Sequence, residues 1–423
     1  MMSQSFRDRL FPKLPSMILD YPTPFYVYDE VGIREGICRL NKAFNTAGVP
    51  FQEFFAVKAC PNPRILEISR EEGAGFDCSS LPEITLAKAR AGAEDHDVMF
   101  TSNNTSDEEF KTALTSGVTI NLDDITLIKK LSRVARSIGE RFPKTICFRY
   151  NPGPARDGNE IIGKPEEAKY GVADWQIVQA YKMAKELGAE RFGLHTMICS
   201  NQLDYRYLVE TVAMLFQIAR RLHSRLGIKL NFINMGGGIG IPYRPGQKEV
   251  PIEKMAEEIN ALFDDFERDV GYYPSLYMES GRWVTGPHGV LVTQVINQKH
   301  TYKEFRGVDA CMSSLMRPGI YGAYHHITVL DKNGRPKTGR RQKVNVVGSL
   351  CENCDQFAKD RLLPVMEEND ILVIEDAGAH GIAMTYQYNG RMRPPEFLLQ
   401  GYKNRIRMIG RAETEEDLFV RYV

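Results

Sequence analysis

The feature that most narrows the fold is an alternation. Between about residues 30 and 280, short runs rich in β-branched and aromatic residues are each followed by a longer, amphipathic, charged segment. The spacing predicts strands at 54–57, 75–78, 97–101, 118–122, 145–150, 191–197, 230–235 and 275–279. Between them, PEITLAKARAGA, SDEEFKTALTSG, TLIKKLSRVARSIGERF and VQAYKMAKELGAERF place apolar residues at helical spacing and end on glycine or charge. Eight such units over roughly 250 residues are the arithmetic of a parallel (β/α)8 barrel of the α/β class, although periodicity alone also admits a doubly wound open sheet. After about residue 285 the texture changes. HGVLVTQVINQKHTYKEF, HHITVLDKNGRPKTGRRQKVNVVG and NDILVIEDAG read as strands joined by turns, a second and mainly β domain. TPFYVYDE, residues 23–30, also has strand character. The expected organisation is an N-terminal segment, 1–30, that pairs with the β domain, a barrel over 31–282, and a C-terminal β domain over 283–423 that completes the active site.

Composition removes several classes of function. The 423 residues carry 54 basic and 54 acidic side chains, so no basic face for nucleic acid is implied. No apolar run approaches the roughly 18 residues of a membrane span, and the N-terminus lacks the apolar core and cleavage site of a secretory signal. Eight cysteines scattered through a chain of this size form no disulfide framework, which points to a reducing cytoplasm.

In parallel barrels the chemistry sits at the C-terminal ends of the strands. The first strand ends on Lys58, in FFAVKACPNPRIL. Burying an unpaired ammonium costs several kcal/mol or more, so either the strand surfaces there or the lysine works as an amine in a desolvated pocket that favours its neutral form. The second strand gives Asp77, Ser79 and Ser80; the fifth Arg149; the sixth His195 and Ser200. The seventh runs into Gly236-Gly237-Gly238-Ile239-Gly240, where bare main chain can approach an anion, or simply make a tight turn. The eighth gives Glu279 and Arg282 in MESGRW, which are either a site pair or a salt bridge. A strand-end lysine, a late glycine turn suited to phosphate and a carboxylate fit pyridoxal 5'-phosphate, which needs a partner for its aldehyde, its phosphate and its ring nitrogen. In the β domain, MRPGIYGAYHH holds Arg317 and Tyr321, GSLCENCD holds Cys351, Glu352 and Cys354, and EDAGAHG holds His380. One C-x-x-C pair is weak evidence for a metal, and no metal is expected.

Taken together, AVKACPNPRIL, GAGFDCSSLPEI, FTSNNTSDEE, FRYNPG, KYGV, GLHTMICS, NMGGGIGIPY, MESGRW, MRPGIYGAYH, GSLCENCDQFAKD and DAGAHG resemble the fold-type III pyridoxal-phosphate decarboxylases, most closely the diaminopimelate decarboxylases, over nearly the whole chain. The resemblance implies an alanine-racemase-like barrel with a C-terminal β domain, in a head-to-tail homodimer with shared active sites. It implies that Lys58 holds the cofactor as a Schiff base, with Asp77 and His195 in the cofactor pocket. Gly236, Gly237 and Gly238 would bind the phosphate, with Ser200. Glu279 would face the pyridine nitrogen and Arg282 would lie near phosphate or substrate. Arg317 and Tyr321 would hold the far end of the substrate. Cys351 and Glu352 would reach across from the other subunit, the cysteine to return a proton and the glutamate to recognise a distal amino group. The implied reaction is loss of carbon dioxide from a diamino acid through a quinonoid intermediate.

Two departures bear on the substrate. Family members usually read H-x-H-I-G-S where this chain has His195-Thr196-Met197-Ile198-Cys199-Ser200, so Met197 takes the place of a histidine that stacks on the cofactor ring. The family usually has tyrosine where this chain has His380, a residue near phosphate and substrate. Other substrates therefore stand beside meso-diaminopimelate: D-ornithine, D-lysine or a carboxylated polyamine precursor. A racemase shares the barrel and lysine but needs a second acid-base residue, and the Cys351-Glu352 pair suits decarboxylation better. A non-catalytic regulator would not need Lys58, Glu279 and the glycine run together.

Overall fold

The computed structural model describes residues 1–159, 161–401 and 404–422. The chain divides into two compact units, one made of Met1–Arg34, Pro242–Lys248 and Val284–Val423, the other of Glu35–Ile241 and Glu249–Trp283.

The first unit begins with two short helices, α1 (Gln4–Leu10) and α2 (Leu14–Asp20), and strand β1 (Phe25–Asp29). Helix α3 (Glu30–Ala47) follows and crosses the boundary between the units. The second unit is a barrel. Its strands are β2 (Phe51–Ala56), β3 (Gly75–Cys78), β4 (Val98–Ser102), β5 (Thr119–Leu122), β6 (Thr145–Asn151), the two-residue β7 (Val172–Ala173), β8 (Arg191–His195), β9 (Phe232–Asn234) and β10 (Ser275–Met278). They pair in parallel in the order β5-β4-β3-β2-β10-β9-β8-β6, and β5 pairs with β6 to close eight strands into a ring, with β7 outside it on β6. Closure decides against the open sheet.

One helix follows each barrel strand: α4 (Pro63–Glu71), α5 (Leu81–Thr85), α6 (Asp107–Thr115), α7 (Thr126–Ser137), α8 (Ile177–Glu186), α9 (Tyr205–Leu226), α10 (Ile252–Val270) and α11 (Gly281–Thr285). Local sequence sets their ends. Asn62 caps α4, its side-chain oxygen accepting from the Arg64 N–H at 3.0 Å, with Pro63 in the first turn. Ser106 and Glu109 form a capping box on α6. Phe54, Met99, Cys147 and Phe232, from strands around the ring, meet with Tyr277 to fill the interior, so the barrel is a packed core whose chemistry must sit at its mouth.

The remaining strands return to the first unit: β11 (Gly289–His300), β12 (Glu304–Val308), β13 (Ile327–Leu330), β14 (Arg341–Val347), β15 (Gln356–Pro364), β16 (Ile371–Ile374), β17 (Glu396–Gln400) and β18 (Arg405–Gly410). The sheet runs β15-β14-β12-β11-β1-β17-β18, with β16 on β11 and β13 on β16. Most pairings are antiparallel; β1 with β17 and β12 with β14 are parallel. Strand β1 is thus an interior strand, its register set by Val27 opposite Val290 on one side and Phe397 on the other. Phe6, Leu10 and Leu14 from the two N-terminal helices are fully buried with Phe25, Val27, Val292 and Val373 in one cluster.

Candidate active site

The strand ends in the barrel mouth carry the polar groups that matter. Strand β2 stops at Ala56, and Lys58 lies in the turn of 3-10 helix Val57–Ala59. Its ammonium opens on a cavity of about 530 Å3 that is also lined by Arg149, His195, Met197 and Glu279. Of the two readings of the sequence, Lys58 fits the strand that surfaces at its end. Its side chain is 48% exposed because it leaves the rim of the barrel at a turn, and its nearest carboxylate is Asp77 at 3.9 Å.

Asp77, in β3, is buried, and neither of its carboxylate oxygens has a hydrogen-bond partner. Burial pushes its carboxyl up to about 7, repulsion from Glu279 adds to this, and Lys58 opposes it. Glu279 follows β10 and is also buried. Burial alone would raise its carboxyl. The His195 imidazole, whose Nε2 lies 3.2 Å from Oε1, outweighs burial together with Lys58 and a 2.8 Å hydrogen bond from Asn234 Nδ2, and holds Glu279 down at about 2. The barrel mouth therefore contains one firmly anionic carboxylate and, beside the lysine, one that titrates near neutrality.

The glycine run is a main-chain notch. Gly236 (φ +71°) and Gly238 (φ +106°) adopt left-handed backbone that glycine alone takes readily. A Cβ would lie 2.5 Å from the Thr196 carbonyl at Gly236, 2.5 Å from the Glu279 carbonyl at Gly237, and 2.7 Å from Cys199 Sγ at Gly238. Met197 Sδ takes the Gly237 N–H at 3.2 Å. Arg282 donates to Ser200 Oγ at 3.2 Å, while the carboxylate of Glu279, three residues earlier, is tied to Asn234 and His195.

Sequence reasoning missed the residues that hold these groups. Asn234 is fully buried and spans two of them: its amide donates to Glu279, and its carbonyl accepts the Gly236 N–H at 2.8 Å. The signal was available, because a polar residue interrupts the apolar end of the strand just before the glycines. Arg149 is held by Asp123 at 3.5 Å and lies 4.2 Å over the Tyr170 ring, a pairing between distant segments that no local motif reveals. A larger cavity, about 1000 Å3, lies elsewhere on this unit, and its arginines are already paired, Arg156 with Glu210 and Arg221 with Asp174.

Arg317, Tyr321, Cys351, Glu352 and His380 belong to the other unit. Arg317 is buried and donates to Tyr243 Oη at 2.9 Å and to His325 Nε2 at 3.1 Å; His325 Nδ1 faces the Glu375 carbonyl at 2.8 Å, which sets the tautomer. Tyr321, Cys351 and Glu352 are exposed. The Cys351 main chain is pinned by Asn389 Oδ1 at 2.8 Å, while Cys354 Sγ lies 3.5 Å from Met312 Sδ. His380 holds a left-handed backbone, φ +55°. All eight cysteines are free.

Comparison with known proteins identifies the family. The family described as "Pyridoxal-dependent decarboxylase, pyridoxal binding domain" matches residues 33–286. Protein TabA of Pseudomonas amygdali pv. tabaci is 41% identical over 416 residues, covering 98% of this chain and 94% of its own. Diaminopimelate decarboxylase of Methanothermobacter thermautotrophicus is 39% identical over 402 residues, covering 94% and 91%. Among solved structures, diaminopimelate decarboxylase from Helicobacter pylori complexed with L-lysine superposes with a TM-score of 0.85 at 30% identity, over 96% of this chain and 98% of that one.

Proposed function

Since the chain belongs to the pyridoxal-dependent decarboxylase family and is a carboxy-lyase using pyridoxal 5'-phosphate, we propose that it removes carbon dioxide from a diamino acid with a second carboxylate and amine at its far end, as in meso-diaminopimelate. The residues of the barrel mouth fit the cofactor: a bare glycine turn in which no Cβ can be accommodated, an amine open to a cavity, and a buried anionic carboxylate. Bound there, pyridoxal 5'-phosphate supplies an aldehyde for the amines of lysine and substrate and a cationic ring that takes up the electron pair left as carbon dioxide departs.

The chain's residues do the rest. Lys58 would hold the cofactor through its amine and release it to the amine of the substrate. Gly236, Gly237 and Gly238 shape the turn that would receive the phosphate, with the Gly238 N–H, Ser200 and Arg282 to bind it, since the Gly236 and Gly237 N–H groups are taken by Asn234 and Met197. Glu279 holds a proton on the ring nitrogen, because a buried carboxylate at about 2 stays charged and favours a cation beside it. Asp77, next to Lys58, exchanges protons near neutrality, and His195 keeps Glu279 in place. Met197 lines the cavity and would present its thioether to the cofactor ring. Arg317 and Tyr321 take the distal carboxylate and Glu352 the distal amine, with His380 beside substrate and phosphate. Cys351 returns a proton to Cα. The observation that carries this reading is the convergence of Lys58, Glu279 and the glycine notch on one barrel mouth. Carbon dioxide release from meso-diaminopimelate tests it; release from D-lysine with none from meso-diaminopimelate would defeat it. After borohydride reduction the cofactor label should map to Lys58.

The assembly proposed is a head-to-tail homodimer in the cytoplasm, each site completed by the partner subunit's Cys351 and the partner subunit's Glu352. The exposure of both residues and the eight free cysteines support it; among the described residues no helix is long and apolar enough to cross a membrane. Mixing inactive K58A and C351S proteins should restore about a quarter of the wild-type rate if subunits exchange at random; no restoration, with mixed dimers present, would place both residues of a site in one chain. A second reading, decarboxylation of D-ornithine, D-lysine or a carboxylated polyamine precursor, is favoured by the Met197 thioether on the cavity wall, and the same substrate panel decides it.

A further inference from the structure

Glu53 is fully buried in β2, five residues before Lys58, and is paired in register with Met278 of β10, the residue before Glu279. Its Oε1 accepts the Ser280 N–H at 2.6 Å, and its Oε2 has no hydrogen-bond partner. Among the described residues no cation lies within ion-pair distance of it; the charged group acting on it is Glu279, which itself faces His195, Lys58 and Asp77. Two neighbouring buried carboxylates cannot both ionise without a cation between them. Glu279 has His195 and Asn234, and Glu53 has neither, so the proton belongs on Glu53. Burial, partly offset by Ser280 and reinforced by Glu279, pushes this carboxyl up to about 8.

The peptide that Glu53 grips is central to the site. It joins Glu279 to Ser280, its carbonyl is the atom against which Gly237 is pressed, and the Glu279 N–H bonds the Gly236 carbonyl at 2.9 Å. We propose that Glu53 is a positioning residue: a neutral carboxylic acid that clamps the Glu279–Ser280 peptide to the strand carrying Lys58, and so fixes the ring-nitrogen carboxylate and the phosphate notch relative to the lysine. The proposal rests on the reading of Glu279 as partner of the cofactor ring nitrogen.

The test uses holoenzyme of wild type, E53Q, E53L and E279Q. Three quantities are measured: the dissociation constant of pyridoxal 5'-phosphate, the cofactor absorption as a function of pH, and kcat and KM separately. Leucine leaves the buried Ser280 N–H without an acceptor, so E53L should weaken cofactor binding about tenfold or more, shift the absorption in the same sense as E279Q, and lower kcat more than it changes KM. Glutamine keeps an acceptor oxygen and is neutral like the acid it replaces, so E53Q should rescue most of the binding and leave the pH profile of the absorption in place. A displaced profile in E53Q, or an E53L protein indistinguishable from wild type, overturns the proposal. If E53L does not fold, the E53Q profile decides alone. If E279Q leaves the absorption unmoved, the reading of Glu279 falls and the proposal with it. If E279Q moves it and E53L does not, the failure belongs to Glu53 alone.

Discussion

Replacing Asn234 with alanine removes the one side chain that joins the Glu279 carboxylate to the glycine notch. Two hydrogen bonds are lost together, one donated to a charged group at 2.8 Å and one accepted from the Gly236 N–H at 2.8 Å. The first is worth about 1.5–3 kcal/mol, and leaving a buried N–H unpaired costs about 1–3 kcal/mol. The two share one side chain and are not fully additive, so the barrel unit should lose about 3–5 kcal/mol. Both tryptophans, Trp175 and the buried Trp283, lie in that unit, so intrinsic fluorescence follows its unfolding separately from the β unit. In urea, N234A should shift the midpoint of the fluorescence transition by that amount with little change in slope. N234D, which keeps the acceptor but sets a second carboxyl against Glu279, should be more damaging at high pH than at low pH. An N234A transition within about 0.5 kcal/mol of wild type, the scale of an ordinary surface change, would refute the view that Asn234 carries Glu279.

Further expectations follow from the same geometry. G237A would set a Cβ 2.5 Å from the Glu279 carbonyl, a main-chain atom that cannot yield cheaply. Titration should show cofactor affinity reduced about tenfold or more, with about 1–3 kcal/mol lost from the apo barrel. Glu53 binds a proton in the folded state up to about pH 8, whereas the unfolded chain releases it above the ordinary value of 4.5. Its contribution to stability is therefore complete below that ordinary value and lost as pH rises toward the folded one. Urea titrations at several pH values should give a flatter decline for E53Q than for wild type, and an unchanged slope would mean that Glu53 does not hold the proton. Phe6→Ala empties a fully buried position in the first unit and should cost about 3–5 kcal/mol, read by hydrogen exchange of β1.

The barrel was legible because each of its strands is a short apolar run ended by a turn, and because helix caps such as Asn62-Pro63 and Ser106 announce themselves. Strand ends were less so. The sixth barrel strand was expected to run to 197 but stops at His195: the Thr196 N–H makes the last rung, to the Asn234 carbonyl, and its hydroxyl bonds the Tyr150 carbonyl. No helix was expected in residues 1–22. Helices α1 and α2 have seven residues each, too few to stand alone, and are held by burial of Phe6, Leu10 and Leu14 against strands distant in sequence. The lysine, the glycines and Glu279 could be named from motifs. The exposure of Lys58 could not, because it depends on where a turn leaves the barrel rim. Nor could the clamp by Asn234 and Glu53, which join separate strands.

The position of β1 has a consequence for biogenesis. Tyr28 bonds Glu396, and Arg7 bonds Glu375, each across 368 residues of chain. Strand β1 is made before the barrel, yet its two neighbours in the sheet, β11 and β17, are made after it. At synthesis rates of about 5–20 residues per second, the whole barrel can form while Phe25–Asp29 has no neighbours on either flank. During translation this strand therefore stays unpaired until first β11 and then β17 have been made.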